Sequence, residues 1–346
     1  MIKTIAIKAA TLLLAVCFLT NSGYAAPVLI KSGNVIGSPL PGHMPHHMQQ
    51  TQHDFARLVS LETNGEVAFE ILEGKRPDIP IFRMPDMTKD GAVIQASAVP
   101  SFFLPRVPEL KIFETPYLFR DIAHAKRYPS SELAGHFSNL IEERYQVKVL
   151  GHFIVAHNIA ITSTDKPMIM PQDFSDRYVN DDFESFAPMW VNIKPAKRYS
   201  IGYVDAVNGA LHDEQQLDTS IGMLQNIFAQ KQYSKFKYVT VAPSFYTFFY
   251  TFIMNRDVWN NLDDSQQAGI MRAAEAIQIS AFENERATAI YHTALNLTLD
   301  MNIHLQTQAE RDAWEAEFSE KVQHGILEKS DNSAELKAYL EQIRNL

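Results

Sequence analysis

The chain has 346 residues, 46% of them apolar and 21% charged, with one cysteine and a formal charge of −9. Length and apolar share suffice for a full core and suggest two domains rather than a disordered chain. The acidic balance argues against general nucleic-acid binding, and a lone Cys17 means that stability cannot rest on disulfides.

The opening stretch, MIKTIAIKAATLLLAVCFLTNSGYAAP, places Lys3 and Lys8 before an apolar run and the small pair Ala25-Ala26 after it. This pattern predicts a secretory signal peptide over residues 1–25, with Gly23 and Ala25 suited to cleavage before Ala26. The apolar run is too short to anchor in a bilayer, and no later stretch is long and apolar enough to cross one. Leu14-Ala15-Val16-Cys17 resembles a lipobox, but Val16 fits poorly before the cysteine, which favours plain cleavage over lipidation. Cleavage removes Lys3 and Lys8 and leaves a more acidic chain.

Next, PVLIKSGNV reads as a strand and GHMPHHMQQTQH as a loop rich in histidine and methionine. Phe55, Leu58, Val59 and Leu61 recur at helical spacing, predicting a helix over 48–62 that Asn64-Gly65 stops. EVAFEIL then alternates as a strand does. Strand, loop, helix, strand is the unit of an α/β sheet, on which ligands bind beyond the carboxyl ends of the strands. The histidine loop lies at that end.

YQVKVLGHFIVAHNIAITS and KYVTVAPSFYTFFYTFIMN are two long extended runs separated by about 90 residues, far more than a hairpin loop needs. They predict strands that carry the chain twice between two lobes. After Trp259 a strongly helical segment follows, with Asp263, Asp264 or Ser265 available as its cap. QAERDAWEAEFSEKVQHGI and AELKAYLEQIRNL predict further helices.

Four pieces in order resemble the DctP-type solute-binding proteins of TRAP (tripartite ATP-independent periplasmic) transporters. They are FARLVSLETNGEVAFEIL, VPELKIFETPYLFRDIAHAKRY, DKPMIMPQDF, and LQNIFAQKQYSKFKYVTVAPSFYTFFYTFIMNRDVWNNLDDSQQ. The resemblance covers nearly the whole mature chain. It implies a two-lobed periplasmic-binding-protein fold with hinge strands and a long helix spanning both lobes. Lobe I would be 26–155 plus about 245–275, and lobe II about 156–244 plus 276–346. It also implies a periplasmic receptor that captures a small organic solute and delivers it to TRAP permease subunits. Such a receptor works with no cofactor and no turnover, as a monomer or dimer. Closure over a ligand would shift an open–closed equilibrium that a permease can read.

The departures from that family matter most. Family members hold a solute carboxylate with an arginine late in a DLKGLKIRV-like stretch, through a two-bonded fork. Here the stretch is DFSDRYVND and the position falls on Asn180. A second basic position falls on Asn158 or His157. An unpaired carboxylate enclosed there would be costly, so either Arg76, Arg106, Lys194 or Arg198 replaces the lost charge, or the solute is neutral or an amine. An amine would suit Asp181, Asp182 and Glu184.

From the resemblance the candidate ligand contacts are His46, His47, Ser101, Phe102, Asn158, Asn180, Trp190, Asp218, Phe245 and Tyr246, with Phe103 and Tyr203 nearby. Each aromatic also reads as core packing. Together they would cradle an apolar portion or a cation. His43, His46 and His47, with Met44 or Met48, offer a zinc or copper alternative that lacks a standard metal spacing. Imidazoles at a helix start also suit a polar solute. No phosphate loop, G-x-S-x-G or H-E-x-x-H supports an enzyme. A periplasmic ligand sensor for a signalling partner is the other alternative.

Overall fold

The computed structural model describes residues 28–33, 47–72, 83–181, 196–199, 201 and 209–346. Strand β1 (Val28–Gly33), helix α1 (His47–Glu62) and β2 (Val67–Leu72) form the expected first unit. β1 and β2 are parallel, as a helical crossover requires. Asn64 and Gly65 end α1 as the sequence predicts, both with left-handed φ, 51° and 81°. Asparagine tolerates that region and glycine has no Cβ to oppose it.

The remaining strands are β3 (Gln95–Ala98), β4 (Val147–Ser163), β5 (Tyr178–Asp181), β6 (Lys197–Tyr199), β7 (Thr219–Met223), β8 (Tyr238–Asn255) and β9 (Asn302–Leu305). All lie in one sheet, in the order β2-β1-β3-β8-β4-β7-β5-β6, with β9 added to the edge of β8. The two long predicted strands are antiparallel partners from Val147 opposite Asn255 to Ser163 opposite Tyr238, with residues 244–247 of β8 bulging out of the ladder. β3 pairs with residues 251–254 of β8, whereas β9 pairs with residues 238–241 and β7 with residues 159–163 of β4. Each end of the long pair therefore carries its own strands. The result is two α/β lobes threaded by the same two strands.

Register slips between Ile154 and Ala156 and between Ala156 and Asn158, midway along β4. Bulges bend a strand and increase its twist, so the bend falls where the chain passes from one lobe to the other. Most of β4 and β8 is buried on both faces, which is why neither reads as an alternating strand. The larger core runs continuously through this crossing, and a smaller one, including Leu217, Leu224, Ile227 and Phe236, fills the second lobe.

Helices α2 (Glu132–Tyr145) and α3 (Asp264–Thr298) follow in chain order. Asp263 caps α3 by accepting from the Gln266 amide at 2.9 Å. This 35-residue helix lies over β4 and against α1. Its approach to α1 is close at Gly269, where a Cβ would stand 2.7 Å from Thr63 Cγ2 and 2.8 Å from the Glu62 carbonyl oxygen.

The helical pattern after residue 308 is α4 (Gln308–Trp314), a wide π turn at Glu315–Ser319, and α5 (Glu320–Glu328). Trp314 and Phe318 are both buried against Phe245 and Phe174, and the Trp314 indole donates to the Ile169 carbonyl at 2.7 Å. Helix α6 (Ser333–Arg344) closes the described chain. Among the described residues no helix is long and apolar enough to cross a membrane.

Candidate functional site

The crossing of β4 and β8 under α3 is the place where both lobes meet one set of side chains. At the bulge, His157 and Asn158 point to opposite sides of the sheet, as successive strand residues do. His157 is 4% exposed. Its Nδ1 lies 3.0 Å from Thr247 Oγ1 and its Nε2 lies 2.8 Å from Ser244 Oγ, both on β8. Ser244 donates its proton to the Arg120 carbonyl at 3.0 Å. It must therefore accept from Nε2–H, which leaves Nδ1 to accept from Thr247. Burial, with the Arg311 charge adding to it, holds the imidazole down to about 4, so it is neutral at pH 7.

On the opposite side, Asn158 Nδ2 donates to Glu285 Oε1 of α3 at 3.0 Å, and the His157 backbone amide donates to the same oxygen at 3.0 Å. Glu285 is 5% exposed. Burial pushes its carboxyl above the ordinary value, and the hydrogen bonds only partly offset that. No described residue forms an ion pair with it within 4.0 Å. Phe248 and Tyr250 of β8 lie opposite Ala156 and Phe153 of β4, and the Tyr246 and Phe248 rings are 4.4 Å apart.

Asn180, the position aligned with the family arginine, lies in β5. Asn180 is fully buried and its Oδ1 accepts from the Ile201 amide at 2.8 Å. Beside it, Arg198 Nε lies 3.3 Å from Oδ2 of the fully buried Asp181, so this candidate replacement charge already faces a carboxylate. Arg106 is also engaged, 2.7 Å from Asp86 Oδ1 and bonded to the Arg144 carbonyl. It belongs to a surface cluster with Tyr145. Arg177 precedes β5 and forks onto Asp165 at 2.6 and 3.1 Å.

The structure separates the other candidates. Ser101 is exposed and Phe102 half-buried in the 3-10 turn Pro100–Phe103 that follows β3. Asp218 immediately precedes β7, whose first residue Thr219 lies opposite Ser163, remote from the crossing, and it accepts from the Tyr178 amide and the Thr219 hydroxyl. Its place is the turn held by Arg177, 3.8 Å away. Phe245 is a core residue, packed edge-on to Tyr117 and Trp314 on the His157 side. Tyr246 packs against Phe248, with ring centroids 4.4 Å apart.

Trp190, Tyr203, Arg76, Lys194, Asp182, Glu184, His43, His46 and residues 1–25 lie outside the described residues. Of His47 only the backbone, opening α1, is described. Among the described residues no group of three His, Cys, Asp or Glu is placed to hold a metal ion. Glu285 is the residue that sequence reasoning missed. Its signal was readable: Ile270, Ala274, Ile277, Ala281 and Glu285 succeed one another at helical spacing, an acid on the buried stripe of a helix.

Residues 43–177 match the bacterial extracellular solute-binding protein family 7, DctP. No curated protein matches the chain. Solved structures match over almost its full length. A TRAP periplasmic solute-binding protein of Ralstonia eutropha with bound (S)-2-acetolactate is 16% identical, with a TM-score of 0.77, over 93% of this chain and 100% of that one. One from Desulfovibrio desulfuricans with bound sn-glycerol-3-phosphate is also 16% identical, with a TM-score of 0.76, over 92% and 97%. A Bordetella pertussis extracytoplasmic solute receptor binding pyroglutamic acid is 12% identical, with a TM-score of 0.77, over 92% and 99%. These relatives are solute-binding receptors rather than enzymes. Residues 43–177 thus match the DctP family in sequence, and nine-tenths of the chain takes the two-lobed fold of the TRAP periplasmic solute-binding proteins.

Proposed function

We propose that this protein is the extracytoplasmic receptor of a TRAP transporter, which captures a small organic solute between its lobes and hands it to the membrane permease. The observation that carries the reading is the crossing itself. Two antiparallel strands shared by both lobes, bent by bulges at residues 154–158, provide a hinge about which the lobes close. The segment 1–25 has the composition of a leader for export to the periplasm.

Relatives of the same fold carry (S)-2-acetolactate, sn-glycerol-3-phosphate and pyroglutamic acid, all anions. In this chain the two positions expected to hold an anion are Asn158 and Asn180, and neither carries a charge. A small solute remains the ligand, but its recognition does not rest on the arginine fork.

Thermal melting of the mature protein against organic acids, amines, polyols and aromatic solutes tests the reading, since a ligand bound only by the native state raises the midpoint. A raised midpoint for one class, with loss of uptake of that solute in a deletion strain, is the expected result. Uptake retained with sensing lost would assign the protein to a signalling partner instead.

A further inference from the structure

At the lobe crossing the two long strands do not run residue for residue. Between the pair Ala156–Phe248 and the pair Asn158–Pro243, β4 has one residue, His157, and β8 has four, Ser244 to Thr247. A bulge of this kind takes residues out of the ladder and bends the strand. His157 spans it. Its two ring nitrogens meet the first and the last of the four residues, Ser244 Oγ at 2.8 Å and Thr247 Oγ1 at 3.0 Å.

The bulge is also strained. Ser244 has a left-handed φ of 62°, and so does Tyr117, at 56°, whose amide donates to the Phe245 carbonyl inside the bulge at 3.1 Å. Neither is a glycine, so each holds a conformation that its own Cβ opposes. Such residues persist only where their surroundings over-determine them. For Ser244 two hydrogen bonds do so, one from His157 and one to the Arg120 carbonyl at 3.0 Å. Tyr117 also reaches the other end of the crossing, where its hydroxyl donates to Gln306 Oε1 at 3.3 Å, just beyond β9. His152 makes the contrast. It is as deeply buried on the same strand and bonds to two hydroxyls, but it stands in the paired ladder opposite Thr251.

We propose that Ser244–Thr247 is the segment that takes up the backbone change as the lobes move, and that His157 is the positioning residue that clamps it and sets the resting angle between them. Hinges are a few residues that absorb large φ/ψ changes. A strained segment tied across its two ends by one imidazole has a discrete arrangement to leave and to return to. The purpose of the movement rests on the receptor reading above; the clamp names the residues that control it.

Electron–electron double resonance between nitroxide labels at Asn139→Cys on α2 and Gln215→Cys ahead of β7, both exposed positions, tests it. The full chain carries Cys17→Ser, so that only the introduced cysteines take the label, and it is measured without solute, well below each variant's melting temperature. His157→Phe keeps a ring and loses both bonds; Ser244→Ala keeps the strained φ and loses the clamp. Each shifts or widens the distribution of distances between the lobes by about 2 Å or more. The double variant moves it no further than the larger single change, as two residues acting through one contact do. His152→Phe, which also loses two side-chain bonds, leaves the distribution as in wild type. A wild-type distribution in either folded variant overturns the proposal, as does an equal change in His152→Phe. If His157→Phe does not fold, Ser244→Ala against His152→Phe decides it alone. With no solute present, failure here leaves the receptor reading standing, whereas failure of every solute in the melting screen strikes that reading and leaves the clamp.

Discussion

His157 Nε2 and Ser244 Oγ lie 2.8 Å apart and join the two crossing strands through a chain that ends on the Arg120 carbonyl. The chain works only with a neutral imidazole, since Nδ1 must accept from Thr247. His157 is held at about 4 by burial, against an ordinary value of 6.5. Between those limits the unfolded chain binds a proton that the folded chain does not, so stability is full above pH 6.5 and is lost as pH falls towards 4. The loss from this residue amounts to roughly 3 kcal/mol. Urea unfolding at pH 7 and pH 4.5 should show it, and His157→Phe should flatten that slope. His152, held down to about 4 by burial, contributes a similar slope that remains in the variant.

Gly269 sets the distance between α3 and α1. A methyl group there would stand 2.8 Å from the Glu62 carbonyl oxygen, a backbone atom that cannot move without α1. Gly269→Ala gains helix propensity, about 1 kcal/mol, but overpacking of this kind costs about 1–3 kcal/mol. A net loss of stability is the expected result, read as a lower denaturation midpoint with an unchanged slope. An alanine variant as stable as wild type would mean that the helices separate freely.

Much of this architecture was legible in the residues. Phe55 and Val59 fixed α1, Asp263 fixed the start of α3, and the aromatic run from Tyr238 to Asn255 read as one strand because both of its faces are covered. The pairing of that strand with β4 was not readable, since nothing local in either run encodes a partner about 90 residues away. The π turn at Glu315–Ser319 was equally hidden: it serves the joint burial of Trp314 and Phe318, a tertiary demand. Asn158 and Asn180 were legible only as departures from positions of the family pattern. Asp218 shows the limit, because its motif position places it on a strand but not at which end. Glu285 was missed because an acid in a long helix ordinarily faces water.

Asp218 serves the turn before β7 rather than the cleft. It accepts from the Tyr178 amide at 3.2 Å and the Thr219 hydroxyl at 2.9 Å. Asp218→Ala leaves both donors without that acceptor and costs about 1–3 kcal/mol. Solute affinity, measured by calorimetry well below the variant's melting temperature, should stay within about twofold of wild type, a free-energy change under about 0.5 kcal/mol. A tenfold loss with the fold intact would return Asp218 to the ligand.

Asn180 tests whether the missing charge defines the ligand. Its Oδ1 satisfies the Ile201 amide, and the residue is completely buried. Asn180→Ala strands that amide and should lower stability by about 1–3 kcal/mol. Asn180→Arg restores the fork that suits a carboxylate. The arginine also sits near the pair formed by Arg198 and Asp181, so its own burial is partly compensated by an acid already in place. Succinate or malate should then raise the melting temperature of Asn180→Arg by several degrees more than that of wild type. If wild type and the arginine variant respond to both acids alike, the side chain at 180 does not face the solute and the selectivity lies elsewhere in the cleft.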